Sequence, residues 1–111
     1  MKATIWHNPR CSKSREALAL LRQAGAEVTI VEYLKDPPTQ DELKRIFARA
    51  GVTPREALRS KEEAAADLGN ATDEEIIDAM MLHPILIERP IVETDEGAVI
   101  ARPPERVRDV L

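Results

Sequence analysis

The stretch that decides the fold begins Lys2-Ala3-Thr4-Ile5-Trp6 and runs through His7-Asn8-Pro9-Arg10-Cys11-Ser12-Lys13-Ser14-Arg15. It continues past Ala17, Leu18, Leu21, Ala24 and Gly25 to Val28-Thr29-Ile30-Val31-Glu32-Tyr33-Leu34. Lys2 to Trp6 reads as a strand and His7 to Arg10 as a turn. From Cys11 or Ser12 to about Ala24 the apolar residues fall on one face of a helix, and Gly25 supplies its stop. Val28 to Leu34 reads as a second strand. Strand, helix and strand at this spacing make a right-handed βαβ unit with a parallel pair.

Working outward, Asp36-Pro37-Pro38 breaks the chain, and four capping-box patterns follow: Thr39 with Glu42, Thr53 with Glu56, Ser60 with Glu63, and Thr72 with Glu75. The first opens an amphipathic helix carrying Leu43, Ile46, Phe47 and Ala50. The last opens another carrying Ile76, Ile77, Met80 and Met81, with the two methionines read as core. Gly51 and Gly69 stand where C-caps belong. Pro90 to Thr94 and Ala98 to Arg102 then flank the hairpin turn Asp95-Glu96-Gly97, and Glu105 to Leu111 reads as a closing helix. The expected class is α/β. The order gives a thioredoxin-like fold, a mixed four-stranded sheet with a helical insertion between a βαβ half and a ββα half. The expectation is one domain over residues 1–111, with the insertion at about 39–82.

Composition narrows the function. The formal charge is −4, which is not the basic footprint of a nucleic-acid binder. The nearly apolar stretch Ala79 to Ile87 is interrupted by His83 and Pro84 and is too short to span a bilayer. Met1 to Trp6 has no signal-peptide core. A cytoplasmic protein without a membrane partner is expected. One cysteine and two histidines supply too few ligands for a structural zinc site, and no intrachain disulfide can form. Redox chemistry at Cys11 therefore needs a thiol from another molecule.

Cys11 lies between a strand end and a helix start. Free N–H groups at a helix N-terminus favour an anion, and Arg10, Lys13 and Arg15 add positive charge. His7, four residues upstream, either satisfies a backbone group or tunes the thiol. Ser14 stands where a dithiol oxidoreductase carries its second cysteine. Arg89 and Arg102 each precede a proline, and their numbers are symmetric about the bond between Asp95 and Glu96. A turn at that bond brings them face to face, an arrangement that suits an anion between them, whereas a three-residue turn including Gly97 offsets them by about one residue. Arg59, in Ala57-Leu58-Arg59-Ser60, is a further candidate, although taken alone it reads better as a surface residue in an ion pair.

Three separated motifs carry a resemblance. His7 to Arg15, His83-Pro84-Ile85-Leu86-Ile87-Glu88-Arg89-Pro90-Ile91-Val92, and Arg102-Pro103 resemble the glutaredoxin-linked arsenate reductase family, over the whole length of the chain. Arg10, Ser12, Lys13 and an end at Leu111 liken it to a short, housekeeping-type member. The resemblance implies a catalytic Cys11 nucleophile, with His7 helping to lower its pKa. It implies that Arg59, Arg89 and Arg102 bind the oxyanion, and that Arg89-Pro90 occupies the place of the cis proline of thioredoxin-like proteins. It further implies reduction of arsenate to arsenite, with no bound cofactor or metal, glutathione as co-substrate and glutaredoxin as partner. Two other readings stand beside it. A redox-responsive regulator that binds RNA polymerase would use a Cys-x-x-Cys switch, which Ser14 removes. A monothiol glutaredoxin-like transferase would need Cys11 but no anion site.

Overall fold

The computed structural model describes residues 1–111. The elements run β1 (Lys2–Trp6), α1 (Ser12–Gln23), β2 (Glu27–Val31), α2 (Gln40–Ala50), α3 (Asp73–Leu82), β3 (Ile91–Thr94) and β4 (Gly97–Ile100). Short 3-10 turns lie at Glu63–Ala65 and Pro84–Leu86, and a longer 3-10 helix closes the chain at Pro104–Val110. The sheet order is β2-β1-β3-β4. β1 pairs parallel with β2 and antiparallel with β3, and β3 pairs antiparallel with β4. This is the thioredoxin-like mixed sheet that the element order implies.

Alternation along the strands sends side chains to two cores. Ala3, Ile5, Val92 and Val99 pack beneath α1, with Leu18, Leu21, Val107 and Val110. Trp6, Ile91 and Ala98 face the other way, against Leu43, Ile46 and Phe47 of α2 and Ile76, Ile77 and Met80 of α3. Burying such side chains contributes about 1.5–3 kcal/mol each. Glu93 also faces α2, where it accepts from Arg45 and Arg49. No helix is long and apolar enough to cross a membrane.

Several local readings change. β2 ends at Val31, not Leu34. Its only sheet partner, β1, ends at Trp6 opposite Val31, and the chain beyond turns through bonds from the N–H groups of Lys35 and Asp36 to the Glu32 carbonyl. Thr39 and Thr72 form both bonds of a capping box. Thr53 and Glu56 form them too, but close only a turn. Ser60 caps nothing: the 3-10 turn that follows starts after Glu62, without a side-chain cap. Gly51 caps α2 at φ +68°, whereas no helix ends at Gly69. Met80 is buried, but Met81 is exposed. The closing segment is 3-10 rather than α-helical.

Candidate active site

The Cys11 loop is built by its own polar residues. The His7 N–H donates to Val31 O at 2.8 Å, carrying the β1–β2 pairing one residue past the strand. Asn8 Oδ1 accepts from the Arg10 N–H at 3.0 Å, an Asx turn that reverses the chain at Pro9. Cys11 is the N-cap of α1, in extended conformation, and its carbonyl accepts the Arg15 N–H at 3.0 Å. The thiol is therefore held at the positive end of a helix that has no acidic residue in its first turn.

Burial pushes the Cys11 thiol up, but it is outweighed. The Ser14 N–H, the Arg89 guanidinium and the Lys13 N–H together bring the thiol below its ordinary value of 9.0. Proximity in sequence pointed to Arg10, Lys13 and Arg15 as the source of positive charge. The cation that acts on the thiol is instead Arg89, from the far half of the chain. Arg15 is occupied elsewhere, donating to Pro9 O at 2.8 Å.

His7 is buried, and its Nδ1 lies 2.6 Å from Ser14 Oγ. Ser14 Oγ also accepts from the Asn8 N–H at 3.1 Å, and which of His7 Nδ1 and Ser14 Oγ donates to the other is set by the tautomer of the ring. Burial, foremost, holds the His7 pKa down, with Arg22 and Arg15 acting in the same sense against Glu32. His7 is accordingly a neutral ring. It is not among the groups whose charge acts on Cys11, and its link to the thiol runs through Ser14. Ser14 is fully buried and braces the loop that carries the cysteine.

The two hairpin arginines come together as their numbering implies. Thr94 pairs with Gly97 and Ile91 with Ile100, so the loop is Asp95-Glu96 and the register carries on to Arg89 opposite Arg102. Arg102 NH1 donates to Arg89 O at 3.3 Å. Both Arg89-Pro90 and Arg102-Pro103 are cis. Arg59 is brought to them by a backbone bridge between Leu58 and Ile87, with Arg59 N donating to Leu86 O and Glu88 N to Ala57 O, each at 2.8 Å. Arg59, Arg89 and Arg102 line one open cavity of about 340 Å³, with Ser60, Lys61, Glu62 and Glu88. Cys11 is not part of that lining, and Arg89 joins the thiol to the cavity.

Two residues at the site escape a sequence reading. Glu88 Oε1 sits 3.4 Å from Arg89 NH1 and 3.5 Å from Arg102 Nε. Its neighbour in sequence, Arg89, was the only signal for it. Tyr33, just past β2, is 1% exposed, and its phenol feels Arg89, Arg59, Cys11 and Glu88. No motif marks it.

Likeness to known proteins runs along the whole chain. An arsenate reductase of Rhizobium meliloti (strain 1021) is 50% identical over the full chain, which spans 82% of that protein. An arsenate reductase of Escherichia coli (strain K12) is 46% identical over 97% of the chain and 79% of its own length. In three dimensions, the arsenate reductase from Vibrio cholerae superposes with a TM-score of 0.94 at 42% identity, covering 100% of this chain and 98% of the other. Residues 6–110 match the ArsC family. With likeness in sequence and fold running the length of the molecule, this chain belongs to the ArsC family.

Proposed function

We propose that this protein is an arsenate reductase, converting arsenate to arsenite with Cys11 as nucleophile and Arg59, Arg89 and Arg102 as the oxyanion site. The observation that carries the reading is the position of Arg89, which acts on the Cys11 thiol and lines the arginine cavity as well. An anion seated among these guanidinium groups is thereby presented to the thiolate. Relatives at 46–50% identity that are arsenate reductases support the substrate.

In the first step the Cys11 thiolate attacks arsenic, an S–As bond forms, and one arsenate oxygen leaves as water after taking up protons. The arginines offset the charge that gathers on the remaining oxygens. A glutathione thiolate then attacks the Cys11 sulfur. The S–As electron pair passes to arsenic, which leaves as arsenite, two electrons richer. Cys11 remains as a mixed disulfide with glutathione, and glutaredoxin returns it to the thiol by exchange. Ser14 at the third position after Cys11 fits this route, because the chain has no second thiol to resolve the disulfide. Dependence on a reduced glutathione pool places the reaction in the cytoplasm. No cofactor enters the scheme.

The test is arsenate-dependent NADPH consumption, coupled through glutathione, glutathione reductase and glutaredoxin. Turnover that needs glutaredoxin and disappears in Cys11→Ser supports the proposal. A wild-type protein with an intact thiol and no turnover would refute it.

A further inference from the structure

Only two buried side-chain polar atoms in the protein lack a hydrogen-bond partner, the Tyr33 hydroxyl and Arg89 Nε. Buried polar groups are almost always paired, because an unpaired buried donor is costly. Both belong to residues tied to the Cys11 site, Arg89 by its place in the cavity wall and Tyr33 by the charges that act on its phenol. Arg89 Nε can only donate, so what completes it is an acceptor. The charges that act on the Tyr33 phenol are those of Arg89, Arg59, Cys11 and Glu88, the groups of the candidate site, although Tyr33 itself is not in the cavity lining. The ring itself belongs to the core cluster that includes Trp6, Leu58 and Ile87. The ring is thus fixed in the core, and its hydroxyl has no partner within the protein.

We propose that Tyr33 is a further substrate-binding residue, whose hydroxyl donates a hydrogen bond to an oxygen of the oxyanion while Arg89 Nε donates to the same anion. This rests on the reading of the arginine cavity as an oxyanion site. Tyr33 contributes something the arginines do not: a donor without charge, on a rigid ring, beside the nucleophile. Burial, partly countered by Arg89 and Arg59, pushes its pKa up to about 12, so it stays protonated throughout the working range and acts as a donor rather than as an acid. The bond is strong to an anionic arsenate oxygen and weak to neutral arsenite, because charge-assisted hydrogen bonds exceed neutral ones. Tyr33 therefore favours substrate over product in the same pocket.

The test compares Tyr33→Phe with wild type in buffer without glutathione, measuring arsenate affinity by calorimetry and Tm with and without arsenate. Phenylalanine keeps the ring and removes the unpaired hydroxyl. The expected result is a ligand-free Tm equal to or above wild type, with arsenate affinity weaker by about tenfold or more and a smaller arsenate-induced rise in Tm. Wild-type affinity in Tyr33→Phe overturns the role of Tyr33 alone. A ligand-free Tm that falls together with affinity assigns Tyr33 to packing and also overturns it. Failure of the wild-type protein itself to bind arsenate overturns the oxyanion-site reading, and this proposal with it.

Discussion

His7 Nδ1 and Ser14 Oγ lie 2.6 Å apart, buried beneath the loop that presents Cys11. This bond joins the end of β1 to the first turn of α1, and the Asn8 N–H donates to the same oxygen. Ser14→Ala would leave a buried imidazole nitrogen and a backbone N–H without their partner. The expected cost is about 1–3 kcal/mol of stability, read as a lower midpoint in urea. The Ser14 backbone N–H that favours the Cys11 thiolate is untouched by this change, so the pH dependence of Cys11 alkylation should stay close to wild type.

The same histidine makes stability depend on pH. Burial leads the effects that hold the folded His7 below its ordinary 6.5. The unfolded chain therefore takes up the proton more readily than the folded one. The contribution of His7 is complete above 6.5, declines as pH falls through that value, and levels off below the folded pKa. His7→Gln should flatten this part of the profile. Urea midpoints at about pH 7.5 and about pH 5.5 would check it: the wild-type drop should exceed that of the variant, and equal drops would remove His7 as the cause.

Arg89 should govern the nucleophile. Cys11 is held below 9.0, and Arg89 is the cation that acts to lower it. In Arg89→Gln the midpoint of iodoacetamide alkylation should move up in pH, because the charge that favours the thiolate is gone. Arg59→Gln serves as the contrast. It removes a cation from the cavity but not one that acts on Cys11, and the midpoint should hold while the KM for arsenate rises.

Glu88 competes with the substrate. Its Oε1 is shared between Arg89 and Arg102, the positions an oxyanion would use. Glu88→Gln removes a negative charge from the wall of the cavity while keeping an oxygen for the two arginines. Arsenate affinity should rise several-fold, since like charges a few ångströms apart repel by about 1–4 kcal/mol before screening. Calorimetric titration would show it, and weaker binding in the variant would mean that Glu88 positions the arginines more than it opposes the anion.

Much of the fold was legible because it rests on local chemistry. The polar run around Cys11, the apolar face of Ala17, Leu18 and Leu21, and the caps at Thr39 and Thr72 all act within a few residues. The Arg89–Arg102 relationship was legible for another reason: a two-residue turn fixes the register of everything behind it. What could not be read depends on partners distant in sequence. β2 stops where its only neighbour stops, although Glu32 to Leu34 have strand-like composition. The Thr53 box forms but gathers no apolar face able to extend it into a helix. Tyr33 and Glu88 take their places from the packing of β2 and from the bridge before β3, neither of which leaves a periodic trace.

The Leu58–Ile87 bridge acts as a tether. It fastens Arg59 to the segment that carries Arg89, while the chain from Glu63 to Ala71 runs largely exposed beyond it. Slack added to or taken from that outer loop is absorbed away from the guanidinium groups. One side of the molecule can thus change in length while the spacing between Arg59 and Arg89 is kept.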